Sequence, residues 1–377
     1  MRLRRVAILL LLGLGACGQP TATLSPSPSH RPSATASPTP TPTPVPTPTP
    51  PPNLPRIGIQ VPAGFAAYRY AAGLGTTTSM AFGPDGRLYV TSAVGSVLVV
   101  PLPGAAPRTL VSGLPTTLGL VWRGTDLFVS VRGGVRGFHL ANGGLAGGGA
   151  VVSGLPVGRH QNDIPALLPN GDFLLGVGST CDVCAEGDAR SASVLRFHGD
   201  WRFAGVVVRG ARNPYGLAVR QSTGDAYVTI NGQDNLGSQP ADHLLLVSPG
   251  EDAGWPRCWP SFPDGGLHGS CAGVAPPVAV FRPHSSTDAL TFYEATEFGP
   301  EFSGNAFITQ WGANVGGAVG RRVERVTFTG SGSSERGQVT DFATGFSHPL
   351  AVTVGPDGGL LVGDYGTGQI IEIFRTG

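Results

Sequence analysis

The sequence predicts an all-β fold built from six repeats of one unit: strand, tight turn, strand. Three observations lead to this prediction. Gly and Pro contribute 58 and 35 of the 377 residues, about one residue in four, which is too many breakers for long helices. Asn-Gly and Asp-Gly turns recur between short apolar runs, and no stretch has a convincing amphipathic helical period.

Each repeated turn precedes an apolar run that we predict as a strand, and Gly accepts the positive φ that such turns require. The turns occupy residues 83–86, 123–126, 169–172, 222–225, 301–305 and 355–359. Six units over the domain give about 53 residues per unit, the size of a four-stranded blade with long loops. We therefore predict a six-bladed β-propeller of four-stranded antiparallel blades. A two-sheet sandwich is the alternative, although it rarely needs so many repeats of one turn.

The first 17 residues have the pattern of an export segment. Arg2, Arg4 and Arg5 precede an apolar run that is too short to span a bilayer. The run ends in Leu-Gly-Ala-Cys at Cys17, which resembles a bacterial lipobox, where the cysteine is lipidated. We expect a lipoprotein signal peptide and an extracytoplasmic protein of the cell envelope, anchored to a membrane by lipid. A signal peptide with an incidental Cys is the alternative.

Residues 18–55 consist almost entirely of Pro, Thr, Ser and Ala. Such a segment has no apolar face to bury, so we predict a disordered tether that favours polyproline II. Its reach would be on the order of 100 Å. The tether would hold the propeller domain, residues 56–377, away from the membrane.

Four cysteines remain for the domain: Cys181, Cys184, Cys258 and Cys271. An even number on the exported side indicates two disulfides with three possible pairings, and the short separations favour 181–184 and 258–271. A redox-active pair or half of a zinc site is the alternative at 181–184. The fourth and fifth units are widely separated, so we expect a disulfide-pinned insertion around 258 and 271.

The charge composition excludes several functions. All 25 basic residues are Arg, which excludes a Walker-A lysine, a Schiff-base lysine and a lysine base. A net charge of +1 gives no excess of positive charge with which to bind phosphates, so nucleic acid is not an expected partner.

Loops beside the innermost strands of a propeller converge at one mouth, where we expect the functional residues. His160 is a candidate general base or a plain surface histidine. Arg212 stands before a rigid Asn-Pro-Tyr-Gly turn, where it could bind a carboxylate or close a loop. Residues 231–235 offer oxygen ligands for Ca²⁺ or form a polar turn. The two Trp-Pro steps in 252–260 form an aromatic wall for a ligand or pack under a loop.

The order of these motifs resembles the PQQ-dependent sugar dehydrogenases of the soluble glucose and L-sorbosone type. The shared segments are His160, Gly-Ser-Thr-Cys-Asp-Val-Cys at 178–184, Arg-Asn-Pro-Tyr-Gly-Leu at 212–217, Asn231, Gly-Trp-Pro at 254–256 and Gly-Pro-Asp-Gly at 355–358. The resemblance implies pyrroloquinoline quinone (PQQ) and Ca²⁺ in the central mouth, a sugar substrate, and an electron acceptor such as a cytochrome or the quinone pool.

The resemblance also implies roles for single residues. His160 would take a proton from the sugar, Arg212 would bond the quinone oxygen, and Asn213 would lie beside the cofactor. The backbone carbonyls of Gly232 and Gln233 would hold Ca²⁺. The cofactor would supply the redox chemistry, while the protein would supply orientation and charge.

The chain departs from the family pattern at three positions. Ser179 stands where the glucose enzymes place an Asp behind the base, with Asp163 or Asp182 as possible substitutes. His348 stands at the position of a cofactor-binding arginine. The family lysine falls near Trp311 and Gly312, where Arg321 or Arg322 could compensate.

These features lead to three hypotheses. The first is an envelope quinoprotein that oxidises a sugar or related aldose. The second is a Ca²⁺-dependent hydrolase resembling gluconolactonases, which coordinate the metal with side chains. The third is a non-catalytic carbohydrate- or protein-binding propeller, since a fold does not dictate function.

Overall fold

The computed structural model describes residues 54–313 and 319–376. The predicted export segment with Cys17, and all of the predicted tether except its last two residues, lie outside this range. The described helices are two single 3₁₀ turns, Pro300–Phe302 and Gly332–Ser334. The remaining regular elements in this part of the chain are strands, numbered β1 to β27.

Among the described residues, no helix has the length and apolar character needed to cross a membrane.

The strands form the predicted six four-stranded antiparallel blades. The first strand, β1 (Phe65–Ala72), belongs to the last blade. Blade one contains β2 (Thr77–Phe82), β3 (Leu88–Ser92), β4 (Ser96–Val100) and β5 (Arg108–Val111). Blade two contains β6 (Thr117–Arg123), β7 (Asp126–Val131), β8 (Gly134–Ala141) and β9 (Gly144–Val152). Blade three contains β10 (Asn162–Leu167), β11 (Phe173–Val177), β12 (Ser193–Phe197) and β13 (Phe203–Arg209).

The second half of the ring repeats this order with one interruption. Blade four begins with β14 (Pro214–Val219), β15 (Ala226–Ile230) and β16 (Asp242–Leu246). An insertion follows, with β17 (Glu251–Asp252), β18 (Cys258–Pro260) and β19 (Leu267–Gly269), before the outer strand β20 (Ala279–Phe281). Blade five contains β21 (Thr287–Tyr293), β22 (Asn305–Gln310), β23 (Arg322–Thr329) and β24 (Arg336–Thr344). Blade six contains β25 (Pro349–Val354), β26 (Leu360–Asp364), β27 (Gln369–Arg375) and β1.

The ring closes where its first strand pairs with its last strand. Strand β1 lies antiparallel to β27, with Phe65 opposite Arg375 and Ala72 opposite Gln369. The aromatic ring of Phe65 packs edge-on against Phe298 at 4.8 Å between centroids, which joins the closing strand to blade five. Radial closure of this kind leaves few free sheet edges.

The turns that predicted the fold all have the same place in it. Each of the six joins the first strand of a blade to the second, and the first strand is the innermost. The predicted insertion is also present: the hairpin of β18 and β19 leaves blade four and is closed by the Cys258–Cys271 disulfide. In addition, β17 pairs parallel with β13, so blade three gains a short fifth strand that the sequence did not predict.

Every innermost strand begins with a break in pairing register. The breaks fall between Thr77 and Ser79, Thr117 and Gly119, Asn162 and Pro165, Pro214 and Leu217, Thr287 and Leu290, and Pro349 and Ala351. Bulges bend a strand and redirect its side chains, and they are common beside functional sites. Here the six bulges surround one end of the central channel, the end opposite the hairpin turns.

Candidate functional site

A cleft of about 680 Å³ opens at the end of the channel where the innermost strands begin. Its walls come from blades three, four and five. The polar lining residues are Arg159, His160, Arg212, Asn213, Asn231, Asp234, Asp242, His284 and Ser286, and the lining also includes Gly232, Gly237, Trp311, Gly312 and Ala313. The cleft therefore gathers residues from three of the four stretches that the sequence singled out.

His160 is held at the wall of the cleft by Ser179. The Nδ1 atom of His160 lies 3.0 Å from the Oγ atom of Ser179, and that hydroxyl donates to the carbonyl of Cys181 at 2.7 Å. A serine hydroxyl has one proton. Because Cys181 accepts that proton, Nδ1 of His160 must be the donor to Ser179. Nε2 is then left without a proton and is free to act as a base.

The backbone brings His160 and Ser179 together. The backbone N–H of His160 donates to the carbonyl of Ser179 at 3.1 Å, just beyond the end of β11. A Cβ atom on Gly178 would lie 2.3 Å from the Cβ of His160, so only glycine permits this approach. The Gly-Ser pair of the motif thus places the imidazole.

His160 is neutral across the physiological range. Burial, as the largest cause, and the nearby guanidinium groups of Arg212 and Arg159 together lower the pKa of its imidazole to about 4, against the smaller opposing effect of Asp234. Both causes disfavour the protonated ring. A neutral imidazole with a bare Nε2 is the form that a general base requires.

Arg212 lies at the base of the cleft with 3% of its surface exposed. Its Nη2 atom donates to the carboxylate of Asp182 at 2.7 Å and to that of Asp234 at 3.0 Å. Its Nε atom has no hydrogen-bond partner among the described residues. A buried guanidinium with an unused N–H group can bind a further acceptor in the cleft.

Asp234 connects two arginines and a histidine of the cleft. One carboxylate oxygen lies 2.5 Å from Nη2 of Arg159 and 3.0 Å from Nη2 of Arg212. Its other oxygen lies 3.5 Å from Nδ1 of His284. The Asp234 side chain is 46% exposed, so this carboxylate stands at the open side of the cleft.

Gly232 and Gln233, the predicted Ca²⁺ ligands, form the turn before Asp234. The backbone N–H of Gly232 donates to the buried carboxylate of Asp242 at 2.8 Å, which fixes the turn. Within residues 54–313 and 319–376, no donor reaches the carbonyl oxygens of Gly232 or Gln233. Gly232 lines the cleft, whereas Gln233 is buried beside it.

The two asparagines beside Arg212 are bonded to each other. Nδ2 of Asn213 donates to Oδ1 of Asn231 at 2.7 Å, and Nδ2 of Asn231 donates to the carbonyl of Thr287 at 2.8 Å. This chain of hydrogen bonds ties blade four to blade five. Asn213 therefore lies in the cleft, and its position is fixed by Asn231.

The predicted substitutes for the missing family cations lie in different places. His348 stacks on Trp311 with 4.1 Å between ring centroids, and its Nδ1 lies 2.9 Å from the carbonyl of Trp311, so it supports the cleft wall from behind. Arg322 donates to Asp341 at 2.7 Å and is absent from the described lining. Arg321 is exposed and packs beside Gly312, a lining residue.

The two proposed carboxylate substitutes behind the base also lie elsewhere. Asp182 contacts Arg212 rather than His160. Asp163 is buried in the channel, where burial raises the pKa of its carboxyl well above the usual value and Asp288 raises it further. In the described structure, Ser179 is the hydrogen-bond partner of the His160 ring.

The fourth stretch packs under a loop instead of lining the cleft. Nε1 of Trp255 donates to the carbonyl of Asp182 at 3.0 Å, and the Trp255 side chain is buried. The same loop contains the disulfide between Cys181 and Cys184. This bond occupies both sulfurs, so the structure forms the predicted disulfide rather than a zinc half-site.

Sequence reasoning did not assign roles to Arg159, Asp234 and His284. Arg159 directly precedes His160 and Asp234 lies within 231–235, but their ion pair joins residues 75 positions apart and has no local pattern. His284 lies three residues before the innermost strand β21, in a loop that leads into the channel end of blade five. Its place in a loop before an innermost strand is the sequence signal that could have identified it.

The model of the glucose / sorbosone dehydrogenase family matches residues 196–372. This match confirms the predicted resemblance. The glucose/sorbosone dehydrogenase match covers the segment from blade three to blade six, including Arg212 and the Gly232 turn. Comparison with curated protein sequences finds no match.

Solved structures similar to this chain have the same propeller fold. The holo PQQ domain of pyranose dehydrogenase from Coprinopsis cinerea is 16% identical with a TM-score of 0.74, and the match covers 86% of this chain and 98% of that one. The calcium structure of a family AA12 carbohydrate-active enzyme from Trichoderma reesei is 17% identical with a TM-score of 0.73, covering 85% and 98%. The PQQ-bound aldose sugar dehydrogenase from Streptomyces coelicolor is 19% identical with a TM-score of 0.64, covering 84% and 99%.

Proposed function

We propose that the protein is a sugar oxidoreductase that uses PQQ and Ca²⁺ to oxidise an aldose. The observation that carries this proposal is the presence of a neutral imidazole with a bare Nε2, His160, and a buried guanidinium, Arg212, in one cleft. The family match and the similar dehydrogenases support it.

The cleft residues fit a flat polyanion such as PQQ. PQQ carries three carboxylates, and a polyanion is buried only where cations or many donors meet it. Arg212 offers an unpartnered Nε, Arg159 offers a second guanidinium, and Trp311 provides an aromatic wall. The carbonyls of Gly232 and Gln233 are hard oxygen ligands of the kind that Ca²⁺ takes. We assign these residues to the cofactor and the metal.

When bound, PQQ supplies the two-electron acceptor for the hydride that leaves the sugar carbon. His160 takes the proton of the sugar hydroxyl at Nε2. Ser179 keeps the proton of His160 on Nδ1, so that Nε2 has no proton and can accept one. Arg212 holds positive charge at the base of the cleft, where negative charge develops during the reaction.

The hydrolase alternative has less support. It requires side-chain amides such as those of Asn213 and Asn231 to bind the metal, but these amides hydrogen-bond each other and Thr287. Activity on a lactone without PQQ, lost on replacement of Asn231, would favour it.

The cellular location also remains our proposal. The lipobox at Cys17 and the presence of two disulfides support an extracytoplasmic, lipid-anchored protein. Radiolabelled palmitate incorporated into the wild type and absent from Cys17→Ala would test the anchor.

Reconstitution tests the enzymatic proposal. PQQ and Ca²⁺ are added to the purified protein, and the reduction of an artificial dye is followed with a panel of aldoses. We expect bound quinone absorbance and turnover, and we expect His160→Ala to retain PQQ but lose turnover. His139→Ala, an exposed histidine on β8, is the control. No quinone binding at micromolar PQQ would overturn the proposal.

A further inference from the structure

The loop 181–184, closed by its disulfide, is connected to both functional side chains of the cleft: to Arg212 directly and to His160 through Ser179. We call it the Cys loop. Its first residue accepts the hydroxyl proton of Ser179, whose Oγ in turn accepts from Nδ1 of His160. Its second residue, Asp182, accepts from Nη2 of Arg212 at 2.7 Å. The base and the guanidinium are therefore oriented by two adjacent residues.

Further contacts fix the Cys loop from behind. The carbonyl of Asp182 accepts from Nε1 of the buried Trp255 at 3.0 Å. The carboxylate of Asp182 also accepts from the backbone N–H of Asp234 at 3.0 Å, which links the Cys loop to the turn of Gly232 and Gln233. The disulfide between Cys181 and Cys184 closes the loop at its ends.

Ionisation of Asp182 is consistent with this role. Burial alone would raise the pKa of its carboxyl, but the N–H of Asp234 and the guanidinium of Arg212 together hold that pKa below its ordinary value. A charged carboxylate with two donors keeps a guanidinium in one orientation, because charge-assisted hydrogen bonds are strong and directional.

We infer that the Cys loop is a positioning device that sets the tautomer of His160 and the orientation of Arg212 together, with Asp182 as the positioning residue for Arg212. The inference rests on the proposed function for its catalytic consequence. Its structural content, the imidazole tautomer, is measurable on the protein without cofactor.

The chain contains a matched control for the disulfide. Cys258 and Cys271 close the insertion of blade four, 13 residues apart, and neither residue lines the cleft among the described residues. Loss of that disulfide should lower the thermal midpoint, because a cross-link over a longer loop restricts the unfolded chain more. It should leave the His160 ring unchanged.

The first experiment measures the ring nitrogens of His160 by ¹⁵N NMR on the full-length protein, with His160→Gln for assignment. In the wild type we expect a protonated Nδ1 and a bare Nε2. In the double variant Cys181→Ser, Cys184→Ser we expect a mixture of the two tautomers, whereas Cys258→Ser, Cys271→Ser retains the wild-type pattern. A wild-type pattern in both double variants overturns the inference.

Chemical reduction gives the same test without mutation. A dithiol such as dithiothreitol transfers two electrons and two protons to the Cys181–Cys184 bond and becomes a cyclic disulfide, leaving two thiols. The Cys258→Ser, Cys271→Ser variant has only the Cys-loop disulfide within the described residues. Dithiothreitol should change the tautomer of His160 in this variant. The circular dichroism spectrum should show that the variant stays folded. Thiol titration confirms that the disulfide is reduced. If the ¹⁵N signals of the His160 ring then remain unshifted, the inference is overturned.

The second experiment separates positioning from general destabilisation. With the reconstituted enzyme, Asp182→Ala should lower kcat by about 10- to 100-fold, the size typical for loss of an outer orienting partner, with KM for the sugar little changed. Asp182→Asn keeps an acceptor oxygen and should recover most of kcat. Equal kcat for wild type and Asp182→Ala overturns the role of Asp182. Failure to bind PQQ would instead refute the proposed function, while the NMR result would stand.

Discussion

The carboxylate of Asp234 lies 2.5 Å from the guanidinium of Arg159 at the open side of the cleft. The same oxygen lies 3.0 Å from Arg212. Asp234 thus occupies the place between two guanidinium groups where a carboxylate of a bound ligand would fit. The cleft neutralises the charges of its own guanidinium groups with a side chain of the protein.

Replacement of Asp234 should change cofactor affinity. Asp234→Asn removes an internal competitor and a negative charge beside a polyanion, so we expect PQQ to bind the unloaded protein about tenfold more tightly. Arg159→Gln should weaken binding by a similar factor. Quenching of tryptophan fluorescence at low and high salt gives both affinities.

The control for Asp234 is Asp188→Asn. Asp188 pairs with Arg190 at 2.6 Å on the surface, and neither residue lines the cleft within the described residues. This variant should leave PQQ affinity unchanged. Equal affinity of wild type and Asp234→Asn would show that the Asp234 carboxylate does not compete with the ligand.

The contact between His160 and Ser179 predicts a pH dependence. A protonated ring cannot accept a proton, so kcat/KM should fall as pH drops through the His160 pKa of about 4. Ser179→Asp places a carboxylate at Nδ1, which favours the protonated ring and should move this acid limb up by about 1 to 3 pH units. The pH profile of kcat/KM measures the change.

Ser179→Ala is the companion variant. It removes the acceptor of Nδ1 without adding charge, so kcat should fall while the acid limb does not move upward. An upward shift with Ala, or no shift with Asp, would mean that Ser179 does not control the charge state of the ring.

We expect the buried side chain of Glu372 to make the free energy of unfolding depend on pH. Burial, as the largest cause, and the nearby Asp357 together raise the pKa of this fully buried carboxyl from 4.5 to about 8. The folded state therefore keeps a proton that the unfolded state releases above pH 4.5. Unfolding free energy should fall between pH 4.5 and 8 because of this group.

Glu372→Gln removes that dependence. The thermal midpoint of the variant should exceed that of the wild type at pH 8 to 9 and approach it near pH 4.5, as measured by differential scanning calorimetry. Glu301→Gln is a control of opposite sign, because its exposed carboxylate pairs with Arg375 and its pKa is lowered. A midpoint difference independent of pH would contradict the assignment of a buried, protonated Glu372.

We expect replacement of Asp242 to lower the affinity of the protein for Ca²⁺. Its buried carboxylate accepts from the N–H of Gly232 at 2.8 Å and so holds the turn whose carbonyls we assign to the metal. Asp242→Ala should weaken Ca²⁺ binding at least tenfold by calorimetry on the chelator-treated protein. Asp172→Ala, outside the cleft among the described residues, is the control. Unchanged Ca²⁺ affinity would place the metal elsewhere.

The sequence predicted the blades because their signal is local. Turns such as 169–172 and 355–359 carry Gly where the backbone requires positive φ, so each hairpin is readable from four or five residues. Ring closure by β1 was not predicted, because its pairing joins residues about 300 positions apart and depends on the size of the whole ring.

The site was predictable in part for the same reason. His160, Arg212 and Asn213 stand in motifs beside innermost strands, and the structure brings all three into the cleft. The position of Arg322 was not predictable. A partner on the neighbouring strand, Asp341, decides its direction, and such cross-strand pairing depends on register.

Closure of the ring by β1 has a consequence for synthesis. The ribosome synthesises the chain from its amino end. Strand β1 therefore has no partner until β27 is synthesised, when nearly all of the domain has been made. Until then the partly synthesised propeller is an unclosed ring with two exposed sheet edges, and such edges favour aggregation. We therefore expect its folding to depend on chaperones that cover these sheet edges until the domain has been synthesised.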